Sequence, residues 1–293
     1  MALNPTDKEL FALVLQVEDQ LEQEGLDPKG RHFKVPSVVM KKLGYESYFM
    51  FGPGSPEVLD RIRGIQSKLY RPSDVGVGGL HGGAFMFRGI STWIYVPMAF
   101  GTVSLNPFQL CDLNVMQQNW LASRESDLDA FLRTFADLWD FAGGYAALGG
   151  YESPPKESMP LLGLAAFHIQ SAAAALCRAF DTRGSVQSSI IASELVLKAA
   201  LKGSGVPDSH LKKLGHNLPR LAEEVAQHWT SVSLNRLSSA IGKLPPYVEN
   251  RYSEAQPTRS EAGEIVMAAQ HIAGEVVRGL TGGDAFAKLK TGG

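Results

Sequence analysis

Apolar residues recur at three- and four-residue spacing in several parts of this chain, which is the period of an α-helix with one buried face. From Thr6 to Glu24 such a stripe runs opposite acidic and amide side chains. A second stripe follows Ser55, which we expect to cap a helix that has Pro56 in its first turn. A third runs from Asp127 to Phe141. The first half of the chain therefore predicts amphipathic helices.

Between the second and third of these helices the pattern changes to glycine, aromatic and β-branched residues. Such residues, broken by turn-forming dipeptides, favour short strands. We predict strands at Ala84–Arg88, Thr92–Pro97 and Gly101–Leu105. Residues 1–150 are therefore expected to form an α+β domain with a small antiparallel sheet.

The segment Gly149–Pro160 concentrates glycine, serine and proline between two periodic regions, so we expect a linker at residues 151–160. Beyond it the pattern predicts helices only, mostly with short connections, as in an antiparallel bundle of four or five helices. We expect this bundle to span residues 161–281 and residues 282–293 to form a flexible tail. The predicted helices are Leu161–Phe180, Gln187–Lys202, Leu218–His228, Val232–Ile241 and Thr258–Leu280.

Composition excludes several classes of protein. Of the 293 residues, 44% are hydrophobic and 20% are charged, which is typical of a soluble globular protein. We find no apolar run of the ~20 residues that a membrane-spanning helix needs, and no signal peptide. Cys111 and Cys177 do not make a disulfide framework, so we expect free thiols and a cytoplasmic location. The net charge is −2, and basic residues outnumber acidic ones only after Ser153, which permits a basic patch there.

No motif indicates a metal site, a nucleotide cofactor or a hydrolytic triad. The seven histidines form no HxxxH pair, and GxSxG does not occur. The loop Gly76–Gly83, "GVGGLHGG", lacks the third glycine of a dinucleotide loop and lies after a predicted helix instead of a strand. We expect no metal and no cofactor. A small-molecule site under this loop, sensed by the helical bundle, stays open as one alternative.

Three segments of the C-terminal half occur in a specific order. A helix with the pattern E-x-x-x-K-A begins at Glu194, the segment Gly215–Leu218 reads "GHNL", and the pair Arg251–Tyr252 precedes the last helix. This order resembles that of the HEPN family of small helical bundles, over about residues 161–280. The resemblance implies a homodimer formed through the bundle and a contact with RNA, a nucleotide or a protein partner, often in microbial defence or stress.

Many HEPN proteins are metal-independent ribonucleases in which four to six residues separate an arginine from a following histidine. The histidine moves a proton and the arginine holds the phosphate. No arginine of this sequence precedes a histidine at that spacing. The nearest pair, Arg220 and His228, has seven residues between, which turns the two side chains about 80° apart on a helix. The sequence therefore favours an accessory or regulatory protein. A divergent ribonuclease that acts through His216 is the alternative.

The segment Leu211–Leu221, "LKKLGHNLPRL", carries most of the candidate contact residues. A structural interpretation of this region is also open: Asn217 suits a helix N-cap, Glu194 suits an i,i+4 ion pair, and His216 suits a bond to a helix end. For catalysis, His216 would need a basic residue supplied across a dimer. The residues expected to contact RNA or a partner are Lys212, Lys213, His216, Asn217, Arg251 and Tyr252.

Overall fold

A computed structural model of the chain describes residues 4–49, 54–70, 80–98, 105–148, 150–246 and 256–291. The chain divides into two compact units, Met1–Gly78 and Gly79–Gly293. It is mostly helical, with a small antiparallel sheet of two strands among the described residues. Each unit is described by itself below.

The first unit contains three helices, α1 (Asp7–Gln23), α2 (Pro28–Lys42) and α3 (Glu57–Leu69). The predicted first helix is confirmed. Its cap is Thr6, whose side chain accepts the N–H of Glu9 while the Glu9 carboxylate accepts the N–H of Thr6. The expected cap of α3 was wrong, because Pro56 and not Ser55 precedes the helix and no side chain caps it. The core consists of Leu10, Val14, Val17, Leu21, Val35, Val39, Met40, Leu43, Val58, Leu59 and Ile62.

One acidic side chain lies at the edge of this core. Glu18 is buried, and its carboxylate accepts hydrogen bonds from Arg31 Nε at 3.2 Å, from Gln66 Nε2 at 3.3 Å and from the Tyr70 hydroxyl. Because a buried carboxylate is costly unless its oxygens are bonded, these three donors keep the charge compatible with burial.

The second unit begins with a β-hairpin. Strand β1 (His81–Phe87) pairs antiparallel with β2 (Ile90–Val96), and Arg88 and Gly89 form the two-residue turn with φ of 49° and 77°. Two positive φ values in a two-residue loop are typical of the turn that matches strand twist. Two of the predicted strands are confirmed with shifted ends. The third predicted strand falls largely on residues 101–104, which lie outside the described residues.

Nine helices complete the described part of this unit. Two of them, Val115–Ala122 and Asp208–Leu214, are absent from the sequence prediction, because each is short. Within the expected tail of residues 282–293, residues 285–291 are helical. In chain order the helices are α4 (Val115–Ala122), α5 (Glu125–Tyr145), α6 (Met159–Ala174), α7 (Thr182–Gly203), α8 (Asp208–Leu214), α9 (Leu218–His228), α10 (Leu234–Ile241), α11 (Arg259–Thr281) and α12 (Ala285–Thr291).

A single apolar core joins the hairpin to the helices of the second unit. Helix α6 packs along α7, α11 packs along α5 and α7, and β1 lies on α6 and α11. The unpaired edge of β1 is closed by Gln270 of α11, whose side-chain amide donates to the Ala84 carbonyl and accepts the Ala84 N–H, each at 2.7 Å. This pairing satisfies backbone groups that a strand at a sheet edge leaves free.

The two compact units divide after Gly78 and not at the expected linker, residues 151–160. That segment is packed: Pro154 is buried, the Ser158 hydroxyl donates to the Ala199 carbonyl at 2.8 Å, and the Tyr151 hydroxyl donates to Asp140 at 2.6 Å. The expected α+β domain of residues 1–150 is therefore divided in the structure. Its first 78 residues form the three-helix unit, and its strands share a core with the later helices.

Helix α6 has an unusual composition for a surface helix. Among the described helices, the stretch Lys156–Ala179 is the one long and apolar enough to cross a membrane by length and composition, with a mean hydropathy of 1.5. The sequence reading found no such run, because polar residues interrupt the apolar ones. A core helix passes the same test, and α6 packs against α7. Its other side exposes Leu164 and Phe167.

Candidate functional site

The turn between α8 and α9 carries the candidate residues that the sequence singled out. Helix α8 ends at Leu214, and Gly215 follows with φ of 61°, a conformation that glycine adopts without strain. Asn217 then caps α9, because its side-chain oxygen accepts the N–H of Arg220 at 3.1 Å. The predicted role of Asn217 as an N-cap is confirmed.

His216 connects this turn to α7. Its Nδ1 lies 2.7 Å from Oε2 of Glu194, while Oε1 of Glu194 accepts a hydrogen bond from Lys198 Nζ at 2.6 Å. The predicted i,i+4 pair is therefore formed, and both of its side chains are largely buried. The expected bond of His216 to a helix end is replaced by this bond to a carboxylate. The imidazole itself is more than half exposed.

Lys212 and Lys213 lie exposed in the last turn of α8. Neither has an acidic partner among the described residues, and the same holds for the exposed Arg220 of α9. Glu223 of α9 is the nearby exposed acid that has no ion pair with a described residue. The remaining charges of this region occur in close pairs, Lys202 with Asp208 at 3.0 Å and His210 with Glu224 at 2.8 Å.

The other two candidate residues, Arg251 and Tyr252, lie outside the described residues. So do residues 76–79 of the glycine-rich loop, while His81, Gly82 and Gly83 belong to β1. The structure therefore brings His216 together with Glu194, leaves the two lysines on the surface beside it, and does not test the Arg251–Tyr252 pair.

An apolar groove of about 640 Å³ lies between the turn at His216, the first turn of α9 and the last turn of α10 with the residues that follow it. Its lining is mainly aliphatic, so it adds an apolar surface next to the exposed lysines. The lining residues are Leu214, His216, Asn217, Leu218, Pro219, Ser238, Ile241, Gly242, Leu244, Pro245 and Pro246.

A second polar cluster, which sequence reasoning missed, lies where α5 meets α11. Nδ1 of His271 lies 2.8 Å from Oδ2 of Asp137, and Nη2 of Arg278 donates to Oδ1 of Asp137 at 2.9 Å. Arg278 also bonds Asp140 through Nη1 and Glu275 through Nη2. Asp137 lies 134 positions before His271 and Asp140 lies 138 positions before Arg278, and no spacing motif marks them.

The charges of this cluster perturb each other strongly. Burial alone would lower the pKa of Arg278, but Asp137 and Asp140 raise it. Burial raises the pKa of Asp140, although Arg278 and Tyr151 oppose the rise. Burial would also raise the pKa of Glu275, but the Ser233 N–H and the two arginines lower it overall. The arginine thus stays charged and holds three carboxylates together.

Neither cysteine is placed for chemistry. Cys111 and Cys177 are free thiols, as the sequence predicted, and burial raises the pKa of Cys177 to about 11. Within the described residues, no group of three or more histidine, cysteine, aspartate or glutamate side chains is arranged to hold a metal ion.

No protein-family model, curated protein or solved structure matches this chain.

Proposed function

We propose that this chain is a cytoplasmic accessory or regulatory protein in which residues 161–281 form a HEPN-like helical bundle that contacts RNA. The contact surface is the turn from Lys212 to Arg220, with Arg251 and Tyr252 as further expected contacts. RNA phosphates are the recognised groups, since lysine and arginine bind them without reading the base sequence.

The observation that carries this proposal is the set of cations without partners at the turn. Lys212, Lys213 and Arg220 are exposed and lack acidic partners among the described residues, against Glu223 as the single unpaired acid nearby. Neighbouring charges neutralise one another in pairs. Exposed cations of this kind can exchange their counterions for phosphates, and this exchange drives salt-dependent binding.

A second observation supports the HEPN-like part of the proposal. Glu194 and His216 belong to two separate segments of the family resemblance, and their side chains bond at 2.7 Å. This contact gives a structural reason for the two segments to occur together, because the histidine holds the turn against α7. It also agrees with a bundle that keeps the family's order of segments without its nuclease motif.

The test is RNA binding by the full chain as a function of salt. We expect labelled single-stranded RNA to bind at low ionic strength, with an affinity that falls steadily as salt rises. Lys212→Glu combined with Lys213→Glu should weaken binding by at least tenfold and flatten the dependence on salt. Binding with no dependence on salt, or no binding at low salt, would contradict the proposal.

The chain supplies a matched control for this experiment. Lys41 and Lys42 of α2 also precede a buried leucine and a glycine, in the same "KKLG" sequence and in the last turn of a helix. Lys41→Glu with Lys42→Glu therefore changes the net charge and the helix-end electrostatics equally. If this control lost as much RNA affinity as the Lys212 and Lys213 variant, the turn would not be the contact surface.

A divergent ribonuclease is the second candidate, and the Glu194–His216 bond is what favours it. In many enzymes a carboxylate binds one nitrogen of a histidine and so orients the imidazole as a general base. We expect no cleavage of RNA in the presence of EDTA, because no arginine stands at the family spacing. Cleavage that is lost in His216→Ala would support the ribonuclease in place of the binding module.

We further propose that the bundle forms a homodimer through the outer side of α6. Leu164 and Phe167 lie three positions apart on that side, with exposed fractions of 50% and 70%. Contiguous exposed apolar side chains are a common feature of protein interfaces.

A further inference from the structure

A cleft of about 460 Å³ lies between α5, α10 and α11, beside the His271–Asp137 pair. Ala130, Ala240 and Ala268 line part of it, and their small side chains leave the space open. The volume falls in the range of pockets that hold small ligands. None of the residues that line this cleft belongs to the RNA contact surface proposed above.

The histidine at this cleft has one nitrogen fixed and the other unused. Because Nδ1 of His271 faces a carboxylate oxygen of Asp137, the hydrogen of the neutral ring is assigned to Nδ1, and Nε2 is left as an acceptor. Nε2 has no partner among the described residues. Asp137 cannot turn away to another donor, since Arg278 holds its second oxygen.

Two cations offer free donors to the same cleft. Lys243 lines it, is exposed and forms no ion pair with a described residue. Arg236 bonds Glu275 through Nη1 at 3.3 Å, and its Nη2 has no partner among the described residues. The side chain of Arg236 is 62% exposed, whereas that of Glu275 is 4% exposed. Asn235 and Ser239 add neutral donors whose side chains have no bond to the described part of the chain.

The acids near the cleft are turned away from a ligand. The carboxylates of Asp140 and Glu275 are buried, and each accepts bonds from several protein donors. Asp137, the single acid among the described lining residues, has both oxygens occupied by His271 and Arg278. A ligand in the cleft would therefore meet cations, neutral donors and one imidazole acceptor, which is the complement of an oxyanion that also carries a hydroxyl.

We propose that this cleft binds a small phosphate monoester. Lys243 and Arg236 bind the phosphate oxygens, Asn235 and Ser239 donate hydrogen bonds to it, and His271 Nε2 accepts a hydroxyl of the ligand. The site uses residues distinct from the RNA surface, so either proposal can fail without the other.

The test is a titration of the full chain with ribose 5-phosphate, and with ribose as the neutral counterpart, at constant ionic strength. The readout is the imidazole ¹⁵N resonances of the seven histidines, with His271 assigned by its loss in His271→Gln. We expect ribose 5-phosphate to shift the His271 resonances saturably and ribose at the same concentrations to leave them unchanged.

Lys243→Ala decides the proposal without risk to the fold, because this side chain is exposed and has no described partner. Loss of a hydrogen bond from a charged group should weaken ribose 5-phosphate binding by about tenfold. Lys213→Ala is the control and should bind ribose 5-phosphate like the parent while it binds RNA less tightly. The proposal is overturned if ribose 5-phosphate shifts no His271 resonance, or if Lys243→Ala binds it as tightly as the parent.

Discussion

Gly274 of α11 and Asp137 of α5 are in backbone contact. A Cβ atom on Gly274 would lie 2.7 Å from the Cα of Asp137 and 2.7 Å from its carbonyl oxygen, closer than side-chain carbons approach other atoms. The two helices can therefore cross at this distance only with glycine at position 274. His271 lies three positions earlier on the same face of α11, so this close crossing brings its imidazole to the Asp137 carboxylate.

Gly274→Ala should destabilise the second unit by about 1–3 kcal/mol, because the added methyl group has no room and the helices must separate. All four tryptophans lie in this unit, so urea unfolding followed by tryptophan fluorescence measures it directly. Gly64→Ala is the control. Gly64 lies inside α3 of the first unit, where an added Cβ meets no atom within 4 Å beyond the adjacent backbone of its own helix, so its replacement should leave the tryptophan-monitored midpoint of the second unit unchanged.

An unchanged tryptophan-monitored midpoint in Gly274→Ala would show that α5 and α11 are not in backbone contact. The His271 resonances should move in this variant as well, since separation of the helices lengthens the bond to Asp137. A loss of stability without any change at His271 would mean that the crossing and the histidine are independent.

Sequence patterns predicted the helices whose ends are marked by capping residues. Leu218–His228 has the predicted bounds, and Asn217 caps it as expected. Thr258 begins the last long helix through a capping box with Glu261. Local hydrogen bonds decide these ends, so a local pattern is enough to find them.

Features that depend on long-range packing were not accessible to the same reasoning. The segment with Pro154 resembles a linker in composition, but Ser158 is buried in it and donates to the Ala199 carbonyl of α7, a contact that no neighbouring residue reveals. The His271–Asp137 pair joins positions 134 apart. Only the crossing of α5 and α11 brings them together, and a single glycine in a helix is a weak sign of such a crossing.

Asn217→Ala should destabilise the second unit by about 1 kcal/mol, because the N–H of Arg220 loses its acceptor at the start of α9. Asn217→Asp keeps an acceptor at the cap and should unfold at nearly the urea concentration of the parent. Tryptophan-monitored urea unfolding compares the two variants. Equal losses in both would show that the amide of Asn217 has a role other than capping.

Phe167→Glu should abolish the homodimer, because a charge is placed at the centre of the apolar side of α6. Light scattering after size exclusion should give twice the chain mass for the parent and the chain mass for the variant. Phe33→Glu is the control, since Phe33 is also more than half exposed on a helix but lies in the first unit. A parent that is monomeric at every concentration, and that binds lipid vesicles through Phe167, would assign this surface to a membrane instead.

His81 makes the stability of the second unit depend on pH. Its side chain is buried in β1, where Nδ1 lies 3.2 Å from the Gln170 amide nitrogen and the ring packs on Phe141. Burial lowers the pKa of His81 to about 4, from about 6.5 in an unfolded chain. Between these values the unfolded chain takes up a proton that the folded chain does not, so stability is complete above pH 6.5 and decreases as the pH falls towards 4.

We expect this decrease to be roughly 3 kcal/mol over that range in the parent, beyond any change that the other groups cause. His81→Gln removes the titrating group. Between pH 6.5 and pH 4 its free energy of unfolding should therefore fall by roughly 3 kcal/mol less than that of the parent, even if the variant is less stable at pH 7. His228→Gln makes the same replacement at an exposed position at the end of α9 and is the control for the substitution itself. The measurement is tryptophan-monitored urea unfolding at several pH values. If the free energy of unfolding of His81→Gln changed with pH in parallel with that of the parent, His81 would take up its proton at the same pH in the folded protein as in the unfolded chain. Its side chain would then be accessible to water.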